Sequence, residues 1–242
     1  MHRFFVDSPL AIGAAIQVDA LAQQLGQVLR MQVGDEVVLL DGSGQEFRSR
    51  ITHLDRRMAV VEVLAATPCA AEPRRLLTLY QCSLKQDKFE WVLQKGTELG
   101  VSQFVPVIGE RSIVRPAAAL LGKYPRWQAI VREAAEQCGR ARVPQIAPPC
   151  TWQDAVAAAQ GLRLLPWEAA RGEPTLYTIL QENSPNQSDT SILVGPEGGI
   201  TEQEARLAST YGWQFVSLGP RILRAETAAL AAVALWAGMA GA

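Results

Sequence analysis

The sequence predicts an α/β protein with a mainly parallel sheet, preceded by a smaller β-rich domain. Between residues 34 and 64, short apolar and β-branched runs are separated by turn signals such as Asp41-Gly42-Ser43-Gly44. This pattern is typical of a β-meander, here interpreted as part of a small barrel. From residue 76 onward, short apolar strands alternate with longer helical segments. Such alternation is typical of a parallel sheet whose strands are joined by crossover helices.

The meander is expected to end at a segment that is rich in alanine and proline. Its strands are predicted at Glu36–Leu40, Phe47–Leu54 and Met58–Leu64. Residues 65–73 contain two prolines and follow neither the strand period nor the helix period, so we place a domain boundary near Glu72. The sequence therefore divides into residues 1–72 and residues 73–242.

The second domain is predicted to alternate strands and helices throughout. Its strands are expected at Leu76–Cys82, Phe104–Ile108, Leu162–Leu165, Ile192–Val194 and Phe215–Leu218. Its helices are expected at Asp87–Leu99, at Arg126–Cys138, and after Thr151, Thr201 and Ala225. Thr201 and Glu204 have the spacing of a capping box, in which each side chain accepts a hydrogen bond from the other residue's backbone amide. This motif fixes the start of one helix.

Composition and charge exclude several classes of protein. The 242 residues carry 23 Lys and Arg against 24 Asp and Glu, with 19 Gly, 14 Pro and 48% hydrophobic residues. These values exclude collagen-like, low-complexity and largely disordered chains. Residues 76–143 hold ten basic side chains against six acidic ones. They would form a modest phosphate-attracting surface if they share a face, and a solvated mixed surface otherwise.

Cysteine and histidine usage predicts neither a metal site nor export. The four cysteines (Cys69, Cys82, Cys138 and Cys150) contain no C-x-x-C pair, and the two histidines lie far from them. The N-terminus lacks an apolar signal segment, so the cysteines are interpreted as reduced and the protein as cytoplasmic. The longest apolar run, Thr227–Ala242, is shorter than the ~20 residues of a membrane span. We interpret it as a buried terminal helix and expect no membrane association.

Two glycine-containing segments follow predicted strands of the second domain. They are Gly195–Gly199 (GPEGG) and Leu218–Arg224 (LGPRILR). In open α/β sheets, ligands bind at the edge where the parallel strands end. Glycines there let the backbone approach a flat ligand such as a purine. A tight turn into the helix at Thr201 is the structural alternative. Neither segment fits G-x-G-x-x-G or a P-loop, so a ligand that carries adenosine without a phosphate chain fits better than a polyphosphate.

Four ordered segments resemble the ribosomal RNA small-subunit methyltransferase E family. They are Gln94–Val101 (QKGTELGV), Glu133–Arg140 (EAAEQCGR) with Val143-Pro144, Gly195–Gly199, and Leu218–Thr227 (LGPRILRAET). Val28–Met31 (VLRM), followed by Gly34-Asp35 and Asp41–Gly44, is similar to that family's N-terminal domain. The resemblance spans essentially the whole chain.

The resemblance implies both a fold and a function. It implies a SPOUT methyltransferase domain with a trefoil knot (residues 73–242) and a PUA-like RNA-binding β-barrel (residues 1–72). It further implies a homodimer, for which we expect a contact on the Thr227–Ala242 helix. The implied reaction is methylation of N3 of a uridine in 16S ribosomal RNA, in the small ribosomal subunit, with S-adenosylmethionine. Alternatives are a SPOUT enzyme acting on tRNA or on a ribose 2′-hydroxyl, and a catalytically silent RNA-binding adaptor.

This reaction sets requirements that point to three candidate catalytic residues. N3 of uridine is protonated at neutral pH and must lose its proton to attack a methyl group. Both histidines lie in the first domain, so the proton acceptor is Glu197, Glu226 or a water. Arg224 is the natural donor to a uracil carbonyl oxygen, where negative charge develops. A purely structural role for Glu226 at a helix N-terminus is the alternative.

The resemblance also suggests residues for the cofactor and for RNA. Cofactor-binding residues carried over from the motifs are Gly195, Glu197, Gly198, Gly199, Leu218, Gly219, Leu223 and Arg224. Ile222 and Thr227 lie in the same segment, whereas Leu165 and Pro166 are assigned from their position alone. Candidate phosphate contacts are Arg3, Arg30, Lys88, Lys95, Arg111, Arg115, Arg132, Arg140 and Arg142. Lys95 is also spaced for an i,i+3 ion pair with Glu98.

Overall fold

The computed structural model describes residues 1–85, 87–113, 118–169, 172–183 and 189–239. The chain forms two compact units. The N-terminal unit comprises Met1–Glu72 together with Ala135–Val143, and the C-terminal unit comprises Pro73–Ala134 and Pro144–Ala242. No helix among the described residues is both long enough and apolar enough to cross a membrane.

The N-terminal unit contains a five-stranded sheet with the strand order β1-β3-β4-β5-β2. β1 pairs with β3 in parallel, and the other pairs are antiparallel. Two short helical turns, Asp19–Leu21 and Gln24–Val28, follow β2. The strands are β1 (Arg3–Phe5), β2 (Ala15–Gln17), β3 (Glu36–Leu40), β4 (Gln45–Leu54) and β5 (Ala59–Pro68).

The predicted meander is confirmed as β3, β4 and β5, with one difference in extent. β5 continues past the predicted end at Leu64 as far as Pro68. Ala65 pairs with Arg48 and Pro68 with Gln45. Alanine has weak strand propensity, so this extension comes from pairing with β4, which a local pattern cannot reveal.

A segment remote in sequence completes the N-terminal unit. Ala135 and Ala141 pack against Phe5, Val38 and Leu40. The backbone amide of Phe5 also donates a hydrogen bond to Glu136 Oε1 at 2.9 Å. The sequence gives no local sign that residues 135–143 group with residues 1–72.

The C-terminal unit contains a seven-stranded sheet in which every pairing is parallel. The order is β12-β10-β11-β6-β7-β8, and β9 also pairs with β7. The strands are β6 (Leu77–Cys82), β7 (Gln103–Ile108), β8 (Gln145–Ile146), β9 (Cys150–Thr151), β10 (Leu162–Pro166), β11 (Thr190–Val194) and β12 (Gln214–Val216). The predicted α/β class and the mainly parallel sheet are confirmed, whereas the trefoil knot stays a prediction.

Helices connect these strands. They are α1 (Lys88–Glu98), α2 (Ala118–Leu121), α3 (Tyr124–Cys138), α4 (Trp152–Ala158), α5 (Leu176–Glu182), α6 (Glu202–Thr210) and α7 (Ala225–Met239). The predicted helices correspond to α1, α3, α4, α6 and α7. All five residues of β11 are buried, as expected for a parallel strand covered on both faces.

Candidate active site

Three neighbouring strands carry the loops that form the candidate site. β10 pairs in parallel with β11 on one side and with β12 on the other. The carboxyl ends of parallel strands meet at one edge of a sheet, so the segments after Pro166, Val194 and Val216 lie close together. The two glycine-containing segments are therefore next-nearest neighbours, with the loop after β10 between them.

Two adjoining cavities lie at this edge, of about 510 Å³ and about 440 Å³. Both sizes fall within the range of small-molecule sites. The second cavity is lined by both glycine-containing segments, so these segments enclose one space. Residues that line both cavities are Pro166, Glu168, Ile222, Leu223 and Ala228.

The Gly195–Gly199 segment has no room for a side chain at its three glycines, and a Cβ atom at Gly195 would lie 2.5 Å from Cγ1 of Ile200. A Cβ atom at Gly198 would lie 2.9 Å from the carbonyl oxygen and from the Cβ atom of Arg111. Gly199 has φ +78°, and a Cβ atom there would lie 2.8 Å from Oε1 of Glu168. These glycines keep the backbone bare where it lines the cavity, which suits a flat ligand held by main-chain groups.

The capping box of α6 anchors this segment, as predicted. The Thr201 hydroxyl accepts a hydrogen bond from the amide of Glu204 at 3.2 Å, and the Thr201 amide donates to Glu204 Oε2 at 2.9 Å. Glu204 Oε1 also accepts from the amide of Glu110 at 2.7 Å. Glu204 is buried, so one carboxylate ties the glycine segment to the loop that follows β7.

An ionic cluster joins three distant parts of the chain beside the second cavity. Nζ of Lys88 lies 3.0 Å from Oε1 of Glu197 and 3.4 Å from Oε1 of Glu226. The backbone amide of Lys85 also donates to Glu197 Oε1 at 3.4 Å. The hydrogen bond to Glu197 raises the pKa of Lys88 above its usual value. Lys88 begins α1, Glu197 follows β11, and Glu226 lies in the first turn of α7.

The two carboxylates of this cluster differ in their access to the cavity. Glu197 is half-buried and lines the second cavity, as Lys88 does. Glu226 is 8% exposed and lines neither cavity. Its Oε2 atom is buried and has no hydrogen-bond partner in the part of the chain that the structure describes. A ligand in the cavity would therefore contact Glu197 and Lys88 before it could contact Glu226.

Arg224 lines the second cavity as an exposed cation. Its guanidinium forms no hydrogen bond or ion pair with the described residues, whereas its backbone oxygen accepts from the amide of Ala228 at 2.8 Å. An uncommitted guanidinium beside a cavity is available to an anionic or carbonyl-bearing ligand.

Most of the predicted cofactor residues line the cavities. These are Pro166, Gly195, Glu197, Gly198, Gly199, Leu218, Gly219, Ile222, Leu223 and Arg224. The structure does not bring Leu165 and Thr227 to them. The Leu165 side chain is fully buried among Tyr80, Leu193 and Trp213 in the core, because alternate residues of a strand face opposite sides. Thr227 is exposed on α7, outside both linings.

The candidate phosphate contacts of the C-terminal unit have different surroundings. Lys88 belongs to the ionic cluster, and Lys95 forms the predicted pair with Glu98 at 2.7 Å. Arg111 is exposed and donates from Nη1 to the carbonyl oxygen of Gly198 at 3.3 Å. Arg132 is half-buried, and Arg115 lies outside the described residues.

The N-terminal unit corrects one of these assignments. Arg140 is 3% exposed, and its Nη2 lies 3.2 Å from Oε2 of Glu72. A guanidinium buried against a carboxylate is not accessible to an RNA phosphate, so Arg140 has a structural role. Arg3 pairs with Glu46 at 3.1 Å. Arg30 is exposed with φ 54°, and Arg142 is exposed with Nη2 donating to the carbonyl oxygen of Ser43 at 3.0 Å.

Sequence reasoning missed several residues that the structure brings to the site. Trp167, Glu168 and Ser217 line the cavities directly after β10 and β12. Their position at strand ends was the available signal. The role of Lys88 had no such signal, because 109 positions separate it from Glu197. The described residues contain no cluster of three His, Cys, Asp or Glu side chains suited to a metal ion.

Comparison with known proteins gives a consistent result. A family model described as an RNA methyltransferase domain matches residues 71–237, and one described as an RNA methyltransferase PUA domain matches residues 25–64. Ribosomal RNA small subunit methyltransferase E of Synechocystis is 38% identical over 238 residues, which cover 96% of this chain and 76% of that protein.

Solved structures agree with these sequence matches. The protein of the same name from Neisseria gonorrhoeae, crystallised with S-adenosyl methionine, superposes with a TM-score of 0.85 at 36% identity. That match covers 97% of this chain and 95% of the other. A Legionella pneumophila methyltransferase structure with bound cofactor SAM gives 0.84 at 30% identity, covering 97% and 96%. The chain therefore belongs to the ribosomal RNA small subunit methyltransferase E family, as its ordered motifs indicated.

Proposed function

We propose that this protein methylates N3 of a uridine in 16S ribosomal RNA, with S-adenosylmethionine as methyl donor. The observation that carries the proposal is the second cavity, which is lined by the glycine backbone of residues 195–199, by Glu197 and by Arg224, whose guanidinium has no partner among the described residues. The names of the relatives and the ligands of the two solved structures support the substrate class and the donor.

The residues present suit the proposed cofactor. An adenosine needs apolar walls and main-chain hydrogen bonds, which Leu218, Gly219, Ile222 and Leu223 offer in the first cavity. The Gly195–Gly199 segment offers backbone groups in the second. When bound, S-adenosylmethionine supplies an electrophilic methyl group on a sulfonium, which is an excellent leaving group.

The protein's own task is to prepare the uracil nitrogen. Arg224 donates hydrogen bonds to a uracil carbonyl oxygen and stabilises the negative charge that develops when N3 loses its proton. Glu197 faces the cavity, so it accepts the N3 hydrogen or orients a water that does. Glu226 sits behind Lys88 and is the less accessible of the two candidate acceptors.

Binding of the RNA is assigned to exposed cations and to the N-terminal unit. In this proposal the N-terminal unit is the PUA-like β-barrel, and Arg3, Arg30 and Arg142 are its phosphate contacts. Arg111, Arg132 and Lys95 serve the C-terminal unit, and Arg111 lies beside the glycine segment. The substrate is expected to be the RNA within the small ribosomal subunit, which places the protein in the cytoplasm.

The C-terminal unit is further proposed to have the SPOUT arrangement with its trefoil knot, and to form a homodimer. α7 supports a dimer because Thr227, Ala234 and Leu235 are exposed on a helix with no charged residue after Glu226. An exposed helix face without charged side chains suits packing against a second copy of the chain. A monomeric sedimentation profile at micromolar concentration would contradict the dimer.

The experiment that tests the function is a methylation assay on intact small subunits. Subunits from cells that lack this activity are incubated with the protein and S-adenosylmethionine, and the RNA is digested to nucleosides for mass spectrometry. The proposal predicts 3-methyluridine. A ribose-methylated nucleoside would indicate another SPOUT activity, and cofactor-independent RNA binding without any methylated product would indicate an adaptor.

A further inference from the structure

Lys88 lies between the two carboxylates that the chemistry singles out. Its ammonium contacts Glu197 at 3.0 Å and Glu226 at 3.4 Å. The exposed fraction of the side chain is 29% for Lys88, 19% for Glu197 and 11% for Glu226. The Glu226 side chain is therefore less exposed than the side chains of Lys88 and Glu197, which line the cavity.

We infer that Lys88 is a positioning residue that holds the Glu197 carboxylate at the cavity wall, and that Glu226 acts only through Lys88. This inference deepens the proposed function and rests on it. It assigns a role to a lysine that the sequence suggested only as a phosphate contact. It also separates two glutamates that the sequence left as equivalent candidates.

Glu226 holds the Lys88 side chain in place. A lysine side chain is flexible and presents a compact charge without a fixed hydrogen-bond geometry. Glu226 lies in the first turn of α7, where the helix dipole favours a negative charge. The buried carboxylate of Glu226 holds the Lys88 ammonium in one position. The Oε2 atom of Glu226 has no partner among the described residues, which makes Lys88 the counter-ion on which this buried charge depends.

The Glu197 carboxylate is held by two hydrogen-bond donors. Oε1 of Glu197 accepts from the Lys88 ammonium at 3.0 Å and from the Lys85 amide at 3.4 Å. One donor at the start of α1 and one in the segment before it therefore fix one carboxylate oxygen. The raised pKa of Lys88 agrees with this hydrogen bond. A carboxylate fixed in this way presents a single orientation to a nucleobase in the cavity. Proton transfer is favoured because the side chain does not first have to change its rotamer.

Glu226 does not reach the cavity itself. It lines neither cavity, although Lys88 and Glu197 both line the second. A group that reaches the reacting atoms only through another side chain loses its effect once that side chain is removed. This condition makes the inference testable by a double-mutant cycle.

A first experiment needs no ligand and no activity. Urea unfolding is measured for the wild type, Lys88→Met, Glu226→Gln and the double variant. Lys88→Met leaves a buried carboxylate without its counter-ion, so we expect it to lower the unfolding midpoint more than the double variant does. Additive midpoint shifts would overturn the inference, because they would show that Lys88 and Glu226 do not interact.

The matched control is the exposed pair Arg206–Glu202 on α6, with side chains 82% and 79% exposed. Arg206→Met and Glu202→Gln are expected to leave the midpoint and the turnover unchanged, because exposed pairs contribute little.

A second experiment uses the same variants in single-turnover methyl transfer. Lys88→Met is expected to lower the rate constant about tenfold or more through misplacement of Glu197, with little change in the concentration of S-adenosylmethionine that gives half of the maximal rate constant. Adding Glu226→Gln to Lys88→Met should cause no further loss, and Lys88→Arg should restore part of the rate. A multiplicative loss in the double variant would overturn the inference, because Glu226 would then act directly.

The two experiments also separate this inference from the proposed function. If the wild type yields no 3-methyluridine, the proposed function fails, whereas the unfolding cycle still decides whether Lys88 and Glu226 act as one unit. If 3-methyluridine forms and the cycle is additive, the function stands and the role of Lys88 is refuted.

Discussion

Each unit contains an ion pair with a nearly buried carboxylate, and the two differ in how fully that carboxylate is satisfied. In the N-terminal unit, Glu72 accepts from Arg140 Nη2 at 3.2 Å and from the amides of Ala141 and Arg142 at 2.8 Å each. In the C-terminal unit, Lys88 at 3.4 Å is the one ionic partner of Glu226 among the described residues, and the other oxygen of Glu226 has no hydrogen-bond partner among them.

The difference separates a structural pair from a functional one. The Glu72 carboxylate uses both oxygens to hold the segment that includes Arg140, so its geometry is complete without a ligand. The cluster around Lys88 borders a cavity and leaves one oxygen of the buried Glu226 carboxylate without a hydrogen-bond partner among the described residues. A buried polar atom without a partner beside a cavity calls for an explanation, and the explanation proposed for it is a functional role.

The largest expected effect is on stability, and it tests the structural half of the contrast. Glu72→Ala leaves Arg140 buried without its carboxylate, so the free energy of unfolding should fall by about 3–5 kcal/mol. Denaturant unfolding measures the change. The matched control is Glu46→Ala, whose partly exposed pair with Arg3 should contribute about 0–1 kcal/mol. Equal losses in the two variants would remove the distinction.

The next effect tests the functional half. Arg224→Ala should lower kcat by about 10²–10³-fold, the usual loss when one donor to a developing oxyanion is removed. Because the guanidinium is exposed and uncommitted, the free energy of unfolding should change by no more than about 0.5 kcal/mol. Steady-state kinetics and calorimetry with S-adenosylmethionine measure both parts. Full turnover with unchanged cofactor affinity would refute the role of Arg224.

A smaller effect is expected at the glycine segment. Gly198→Ala places a Cβ atom 2.9 Å from the Arg111 carbonyl oxygen, so the segment must shift, at a cost of about 1–3 kcal/mol. Cofactor affinity measured by calorimetry should fall about tenfold. Gly122→Ala is the control, since a Cβ atom there meets nothing within 4 Å. If both variants bind equally well, the bare backbone at Gly198 is not needed.

The smallest effect concerns a carboxylate that is satisfied like Glu72 but lies on the surface. The amides of Arg57 and Met58 both donate to Asp55 Oδ1 at 2.8 Å. These hydrogen bonds lower the pKa of Asp55 to about 2. The stabilisation is present above the unfolded value of about 3.9 and is lost as the pH falls through 2. A carboxyl ¹³C titration should show this midpoint, and an ordinary midpoint near 4 would contradict the hydrogen bonds.

Local signals predicted much of the fold. The capping box fixed the start of α6, apolar periodicity located α1 and α3, and the uncharged alanine-rich run at Thr227–Ala242 located α7. α5 was missed because its N-cap, Thr175, follows a segment without a helical period, although Thr175 accepts from the amide of Thr178 at 3.1 Å. β1 and β2 were missed because three residues are too few for a period.

The sequence predicted the site residues that lie in contiguous segments, but not those that the fold brings together from distant parts of the chain. Glu197 and Arg224 stood in glycine-containing segments after predicted strands, so strand ends alone indicated them. Contacts between residues far apart in sequence determine the ion pairs of Lys88, the burial of Arg140 and the position of Glu226 outside the cavity lining. Only the packed structure determines such contacts.

The loops after β10, β11 and β12 are proposed to bind the methyl donor, and every catalytic role assigned above requires that they do. Hydrogen–deuterium exchange with and without S-adenosylmethionine tests this claim directly. The amides of residues 167–169, 195–200 and 217–224 should gain protection, while those of β3, β4 and β5 should not change. Protection confined to other parts of the chain, or no change at saturating ligand, would contradict the assignment of the site.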